Sequence, residues 1–399
     1  MAGDQSLLRR INRMAIVRHV KSRPGLARGE LAELTGLADS TISVLVNGLI
    51  EDGWLRASDS PGESRGAGRR PKLLALDPSR LAVVGAELGV DYLAVAACGL
   101  EGQILWSREV AYRHGEVERS LADVAALVGA ACRNLASTRR RPLGVGLGLP
   151  GMVTTDHVLR IAPNIGWRDV AVGSLLEGAL RAAGVGDLPS SVLNDANAGA
   201  LGEYVFSAGP AIGSLVYLSA GYGVGAGLIF DDRLHLGHEG LSGEVGHWIL
   251  QPEGQLCPCG RRGCAETLLS QKAVSRLATG TEDPTLPIAE LAARLERGDP
   301  AVLAAAREAG AHLGMVLHNL VVTLNPAVLA LGGPLSRLPP FVGTALERLQ
   351  QLSGRIPYHH STVRVGQHGN FAGAVGAAAG VLHDLLHPLA QRPQGTRVA

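Results

Sequence analysis

Hydrophobic positions recur at helical spacing through the first fifty residues and then change to alternation, and that change divides the chain. Over 5–20, Leu8, Ile11, Met14, Ala15 and Val17 mark one face of a helix, and over 28–35 Leu31, Ala32 and Leu34 give a second, shorter helix its packing side. Gly36 breaks it. A third helix follows, with Ile42, Leu45, Val46, Leu49 and Ile50 at i, i+3, i+4, i+7 and i+8 and with Asp39 or Ser40 placed to cap its start. Two strands, 54–57 and 72–76, then flank a Gly/Ser/Arg-rich loop over 58–70.

The polar face of the third helix carries Ser40, Thr41, Ser43, Val44 and Asn47. Small hydrogen-bonding side chains there, on the second helix of a helix-turn-helix, are placed to enter a major groove and meet phosphates and base edges. Arg65, Arg69 and Arg70 arm the loop between the strands, and the glycines around them let the guanidiniums reach a DNA backbone. Lys and Arg outnumber Asp and Glu over residues 1–80, while the remainder is slightly acidic, which suits a polyanionic partner for the front segment. Each signal is weak alone; their order predicts a winged helix-turn-helix that binds double-stranded DNA.

Beyond a joint at 77–80 the pattern turns to Gly/Ala/Val-rich alternation, and it does so twice. Strands over 82–87, 92–97 and 104–110 are separated by glycine turns, and strands over 214–219, 225–230 and 233–236 by Gly221-Tyr222-Gly223 and by Asp231-Asp232. Helical segments follow each unit, then further strands at 144–149 and 328–331. Duplicated β-β-β-α-β halves predict two related α/β lobes around a ligand cleft. Apolar stripes over 301–323 and 371–386 read as core or oligomer interface.

Within the second half, three of the chain's five cysteines, Cys257, Cys259 and Cys264, fall in eight residues, ten positions after His247. Three thiolates and one imidazole make a closed tetrahedral shell suited to zinc, with no open position for catalysis, so the expected metal is structural. Composition agrees with an intracellular globular protein: 399 residues, 46% hydrophobic, net charge +1, no apolar N-terminal leader and no spaced cysteine framework. The most apolar later stretch, 314–333, is interrupted by His318, Asn319, Asn325 and Pro326, so no membrane span is expected, and the cytoplasm is the expected location.

Several motifs together resemble the ROK family of repressors, open reading frames and sugar kinases, over almost the whole chain. They are Leu147-Gly148-Leu149-Pro150-Gly151, Asn164-Ile165-Gly166-Trp167, Asn194-Asp195-Ala196-Asn197-Ala198, the glycine series 221, 223, 225 and 227, Gly243-Glu244-Val245-Gly246-His247, and the cysteine motif ending in Glu266. The resemblance implies an N-terminal winged helix-turn-helix, residues 1–79, followed by a two-lobed actin-like (ASKHA) sugar kinase fold. The first α/β lobe would span 80–194, joined by a C-terminal helix over 382–399, and the second would span 195–381. It also implies a sugar site built from Asn164, Asn194, Asp195, Glu244, His247 and Glu266, with His247 shared with the zinc and Asp195 the base in a kinase.

The chain departs from the family's kinases at both phosphate turns. Where they show Asp-x-Gly-Gly-Thr, this sequence reads Glu87-Leu88-Gly89-Val90-Asp91, and Tyr222 stands where they carry threonine. A carboxylate facing a triphosphate is repulsive by a few kcal/mol at an effective dielectric of about 20. The expected function is therefore a sugar-responsive regulator, a repressor of carbohydrate-use genes acting as a homodimer or homotetramer on a palindromic operator. An ATP-dependent sugar kinase with an added DNA-binding domain is the alternative.

Overall fold

A computed structural model describes residues 2–59, 72–207, 212–282, 285–354 and 361–388. The front segment folds as three helices, α1 (Ala2–Ser22), α2 (Arg28–Thr35) and α3 (Asp39–Glu51), followed by an antiparallel pair, β1 (Leu55–Asp59) and β2 (Lys72–Leu76), running from Leu55 opposite Leu76 to Asp59 opposite Lys72. Ile42, Val46 and Leu49 of α3 are fully buried with Ile16, Val20, Leu31 and Leu74, each side chain contributing about 1.5–3 kcal/mol by leaving water. Glu30 accepts the Ala27 amide at the start of α2, and Gly36, at φ 68°, closes its other end by donating to Ala32. One expectation is corrected: neither Asp39 nor Ser40 caps α3. Ala38 holds the cap position without a side-chain acceptor, and Asp39 lies in the first turn, where its charge still favours the helix N-terminus. The loop carrying Arg65, Arg69 and Arg70 lies outside the described residues.

The chain then builds one motif twice. Strands β3 (Leu81–Leu88), β4 (Tyr92–Gly99) and β5 (Ile104–Ala111) form an antiparallel meander, α4 (Val117–Ser137) crosses over, and β6 (Arg141–Leu149) returns parallel to β3. A small antiparallel sheet of β7 (Met152–Val153), β8 (Leu159–Ala162) and β9 (Trp167–Val170) follows, then α5 (Val172–Ala182) and β10 (Ser190–Asn194), giving the order β10-β6-β3-β4-β5. After α6 (Asp195–Val205) the pattern repeats: β11 (Ser214–Ala220), β12 (Val224–Phe230) and β13 (Arg233–Leu234) form the meander. Helices α7 (Glu266–Leu269), α8 (Gln271–Thr279), α9 (Ile288–Glu296) and α10 (Pro300–Leu324) precede β14 (Val328–Gly332), then come α11 (Pro339–Ser353) and β15 (Thr362–Val365). The second order, β13-β12-β11-β14-β15, repeats the first strand for strand.

The last described helix, α12, runs Ala372–Leu386, so the helix expected over 382–399 begins ten residues earlier; residues 389–399 lie outside the described residues. Glycines explain its seat. A Cβ on Gly85 of β3 would stand 1.9 Å from the Ala374 carbonyl, one on Gly146 of β6 2.0 Å from that of Ala377, and one on Gly376 2.0 Å from that of Ala198 in α6. Only side chains of hydrogen let α12 lie in backbone contact with both the first sheet and α6.

Candidate functional site

On α3, Ser40, Thr41, Val44 and Asn47 are exposed and Ser43 is half-buried, so the residues expected to read DNA do share the outer face. Arg28, at the start of α2, donates to Asn47 Oδ1 at 2.7 Å and fixes the orientation of that amide. Nothing in the linear pattern joins two residues nineteen positions apart on different helices, and sequence reasoning missed this pair.

The residues expected to bind sugar lie at element ends. Asn194 closes β10 and caps α6: its Oδ1 accepts from the Ala196 and Asn197 amides, and its Nδ2 donates to the Gly151 carbonyl and to Asp195 Oδ1 at 2.9 Å each. Every hydrogen-bonding group of that amide is engaged inside the protein, and what it holds in place is Asp195. Burial pushes Asp195 up to about 6 against the bonds from Ala196 and Asn194. Glu266, the first residue of α7, accepts the Val224 amide at 3.1 Å. A Cβ on Gly223 would stand 3.1 Å from Glu266 Oε2 and 3.7 Å from Asn164 Nδ2, so the second glycine turn runs between these two side chains. Asn164 is exposed on the hairpin between β8 and β9, anchored by buried Ile165 and Trp167. Glu244 is pushed up to about 7 by burial and by the charges of Asp195 and Glu266, which places all three carboxyls in one field.

Behind them lies a fourth acid. Glu87 is 8% exposed, accepts Tyr92 Oη at 2.7 Å, and is pushed up to about 7 by burial, with Asp195 adding to the rise and the Tyr92 and Gly373 bonds opposing it. His114, which carried no sequence signal, has a ring nitrogen 2.7 Å from the Gly89 carbonyl and stacks edge-on to Trp167 at 6.2 Å, tying the first glycine turn to the Asn164 hairpin.

Beside the cleft, His247, Cys257, Cys259 and Cys264 each offer a ligand atom, all within 4.8 Å of one another. His247 Nδ1 lies 3.7 Å from Cys257 Sγ, and Cys259 Sγ lies 3.6 Å from Cys264 Sγ. Bonds of about 2.3 Å to a tetrahedral centre imply ligand separations of roughly 3.8 Å, so the four atoms fit one metal ion. The other nitrogen of the same ring, Nε2, is 3.9 Å from Glu244 Oε2. One imidazole thus joins the cysteine group to Glu244.

Comparison with known proteins agrees with this layout. Residues 83–383 match the ROK family, and residues 10–66 match the MarR family. The chain belongs to the ROK family. Among its ROK relatives, the xylose repressor of Bacillus subtilis (strain 168) is 30% identical over 89% of each chain, and that of Caldicellulosiruptor bescii is 28% identical over 96% of this chain and 98% of its own length. A crystal structure of a ROK family transcriptional regulator, a homolog of the E. coli MLC protein, superposes with a TM-score of 0.78 at 22% identity, covering 96% of this chain and 99% of that one. A ROK glucokinase from Streptomyces griseus, in complex with glucose and AMPPNP, has a TM-score of 0.63 at 28% identity and covers 98% of its own chain but 74% of this one. The winged helix in front of the lobes places this ROK protein in the repressor branch, as a sugar-responsive transcriptional regulator. Among the described residues no helix is long and apolar enough to cross a membrane.

Proposed function

We propose that the effector of this repressor is a pentose, with D-xylose the first candidate, and that its binding in the cleft weakens the hold on an operator. Asp195, Glu244 and Glu266 accept from the sugar hydroxyls, Asn164 supplies both donor and acceptor, and Asn194 acts by fixing Asp195. A zinc ion on His247, Cys257, Cys259 and Cys264 orients the imidazole beside Glu244, as groups behind a binding residue do elsewhere. The observation that carries this reading is His247, which faces the cysteine sulfurs with one nitrogen and the cleft acid with the other. The similarity to two xylose repressors supplies the choice of xylose.

On DNA, Ser40, Thr41, Ser43 and Asn47 read base edges while Arg65, Arg69 and Arg70 bind phosphates. A homodimer or homotetramer sets two winged helices on half-sites about 34 Å apart or a multiple of it. Action on an operator places the protein in the cytoplasm. The test begins with an operator selected from random duplex DNA by the full-length, zinc-loaded protein. D-xylose then weakens binding in gel-shift titrations, and Arg69→Ala with Arg70→Ala lowers both affinity and its salt slope. Calorimetry that finds no binding across monosaccharides, sugar phosphates and disaccharides overturns the sugar reading; an unchanged salt slope overturns the role of the wing.

A second reading, a sugar kinase, is favoured by Asp195 alone, whose position near 6 suits a general base. ATP-dependent phosphorylation of a sugar that vanishes in Asp195→Asn supports it, and no turnover with intact metal rules it out.

A further inference from the structure

Helix α1 belongs to the DNA-binding segment, yet two of its basic side chains reach into the lobes. Arg18 donates to the carbonyl of Leu386, the last residue of α12, and Lys21 donates to the carbonyl of Val205, the last residue of α6. The two cations stand at i and i+3, on one face of α1, and both are half-buried. Helix C-termini carry unpaired carbonyls and a partial negative charge, so each cation meets a complementary helix end.

The other ends of the same two helices lie at Asp195, a residue of the proposed sugar site, and at Glu87. Helix α6 starts at Asp195 under its Asn194 cap, and α12 starts beside Glu87, to which the Gly373 amide bonds. At about 1.5 Å per residue the two helices carry cleft positions roughly 16 and 22 Å to α1. They are locked to each other, since Gly376 lies against the Ala198 carbonyl. At the α1 end a turn of the second lobe joins the two helices, and a turn of the first lobe abuts α6. Tyr204 of α6 donates to the Asp232 carboxylate in the β12–β13 turn, His383 of α12 has Nε2 2.9 Å from the Asp232 carbonyl, and Gly102 in the β4–β5 turn abuts Phe206 at the end of α6.

We infer that Arg18 and Lys21 are positioning residues that couple the cleft to the DNA-reading helices, by gripping the C-terminal ends of the two helices whose N-terminal ends face the ligand. The inference rests on the sugar-responsive reading. Ligand contacts that shift α6 or α12 along their axes move the carbonyls that Arg18 and Lys21 hold, and α1 carries α2 and α3 with it. Coupling of this kind is a ratio of affinities and differs from stability or from DNA affinity itself.

The experiment uses full-length, zinc-loaded protein, its selected operator and D-xylose and D-glucose as probes. In Arg18→Met with Lys21→Met, the factor by which the sugar weakens operator binding falls at least about fivefold, while calorimetric sugar affinity in the absence of DNA stays within about threefold. Arg18→Lys with Lys21→Arg, which keeps both donors, retains most of the wild-type factor. A double methionine variant with the full wild-type factor overturns the inference, as does a parallel change in operator affinity with and without sugar. If the variant does not fold, hydrogen exchange on wild type decides: sugar alters protection at 15–22 together with 200–207 and 382–388, and unchanged exchange at 15–22 overturns the inference. A wild-type operator affinity indifferent to every sugar removes the sugar reading and the coupling with it, whereas a response that survives in the variant removes the coupling alone.

Discussion

Tyr222 Oη donates to Asp91 Oδ2 at 3.1 Å, joining the glycine turn of the second lobe to that of the first. These are the two turns at which the sequence is expected to depart from the family's kinases, and the residues that carry that expectation are bonded to each other. A triphosphate entering between the turns would displace this bond and meet the carboxylate, at a few kcal/mol for each close pair of like charges. The expected result is no saturable heat on titrating Mg·ATP up to about 1 mM with sugar present, and measurable affinity in Asp91→Thr with Tyr222→Thr. Wild-type binding tighter than about 1 mM contradicts the role assigned to the pair.

The buried acid beside Asp195 makes stability depend on pH. Glu87 holds its proton to about 7 in the folded chain and releases it near 4.5 when unfolded. Between those values the folded state binds the extra proton, so stability contributed by Glu87 is full below about pH 4.5 and is lost as pH rises through 7. Asp195 and Glu109 face it and reinforce the rise; Tyr92 and the Gly373 amide oppose it. The loss is on the order of 3 kcal/mol. Urea unfolding of Glu87→Gln between about pH 5 and 8 shows a shallower decline than wild type, and the slope, not the level, is the measure. Equal slopes in the two proteins show that Glu87 does not hold that proton.

The cysteine group yields a prediction about a neighbour. If the metal fixes His247 next to Glu244, purified protein contains about one zinc per chain, and Cys257→Ser weakens sugar binding about 10- to 100-fold. Elemental analysis and calorimetry on the same preparation measure both. Metal-stripped protein that binds sugar with unaltered affinity would falsify the bracing role.

Much of this was legible in the residues, for identifiable reasons. Ile42, Val46 and Leu49 have to face inward together, which exposes Thr41 and Asn47; three cysteines in eight residues have few other uses; and the meander repeats its first glycine turn at the corresponding place. What escaped depends on distance along the chain. Arg18 meets Leu386 across 368 residues and Asn194 bonds Gly151 across 43, and no periodicity encodes such partners. Strands β7, β8 and β9, two to four residues long, are too short to alternate visibly. Helix α12 matches the apolar stripe expected over 371–386, whereas the lobe boundary expected at 382 cuts through it, because a helix that is almost all Gly and Ala at its start carries no polar face to mark which lobe it joins.

That same glycine and alanine run permits a sharp test of how α6 and α12 are joined. Gly376 sits in α12 where an added Cβ would lie 2.0 Å from the Ala198 carbonyl and 2.3 Å from its carbon. Both are backbone atoms, so no side chain can rotate out of the way and one helix has to move. Alanine is normally the better helix residue by about 1 kcal/mol, so propensity alone predicts that Gly376→Ala stabilises the protein. Overpacking of a closely packed contact costs about 1–3 kcal/mol or more and predicts the opposite. Gly178 of α5, where a Cβ meets nothing within 4 Å, separates the two effects. Gly178→Ala raises the unfolding midpoint, and Gly376→Ala lowers it and changes the operator response to sugar as well, because the displaced helix is the one Arg18 grips. A Gly376→Ala protein as stable as wild type and equally responsive shows that α12 has room to shift against α6, and that the two helices do not move as one body.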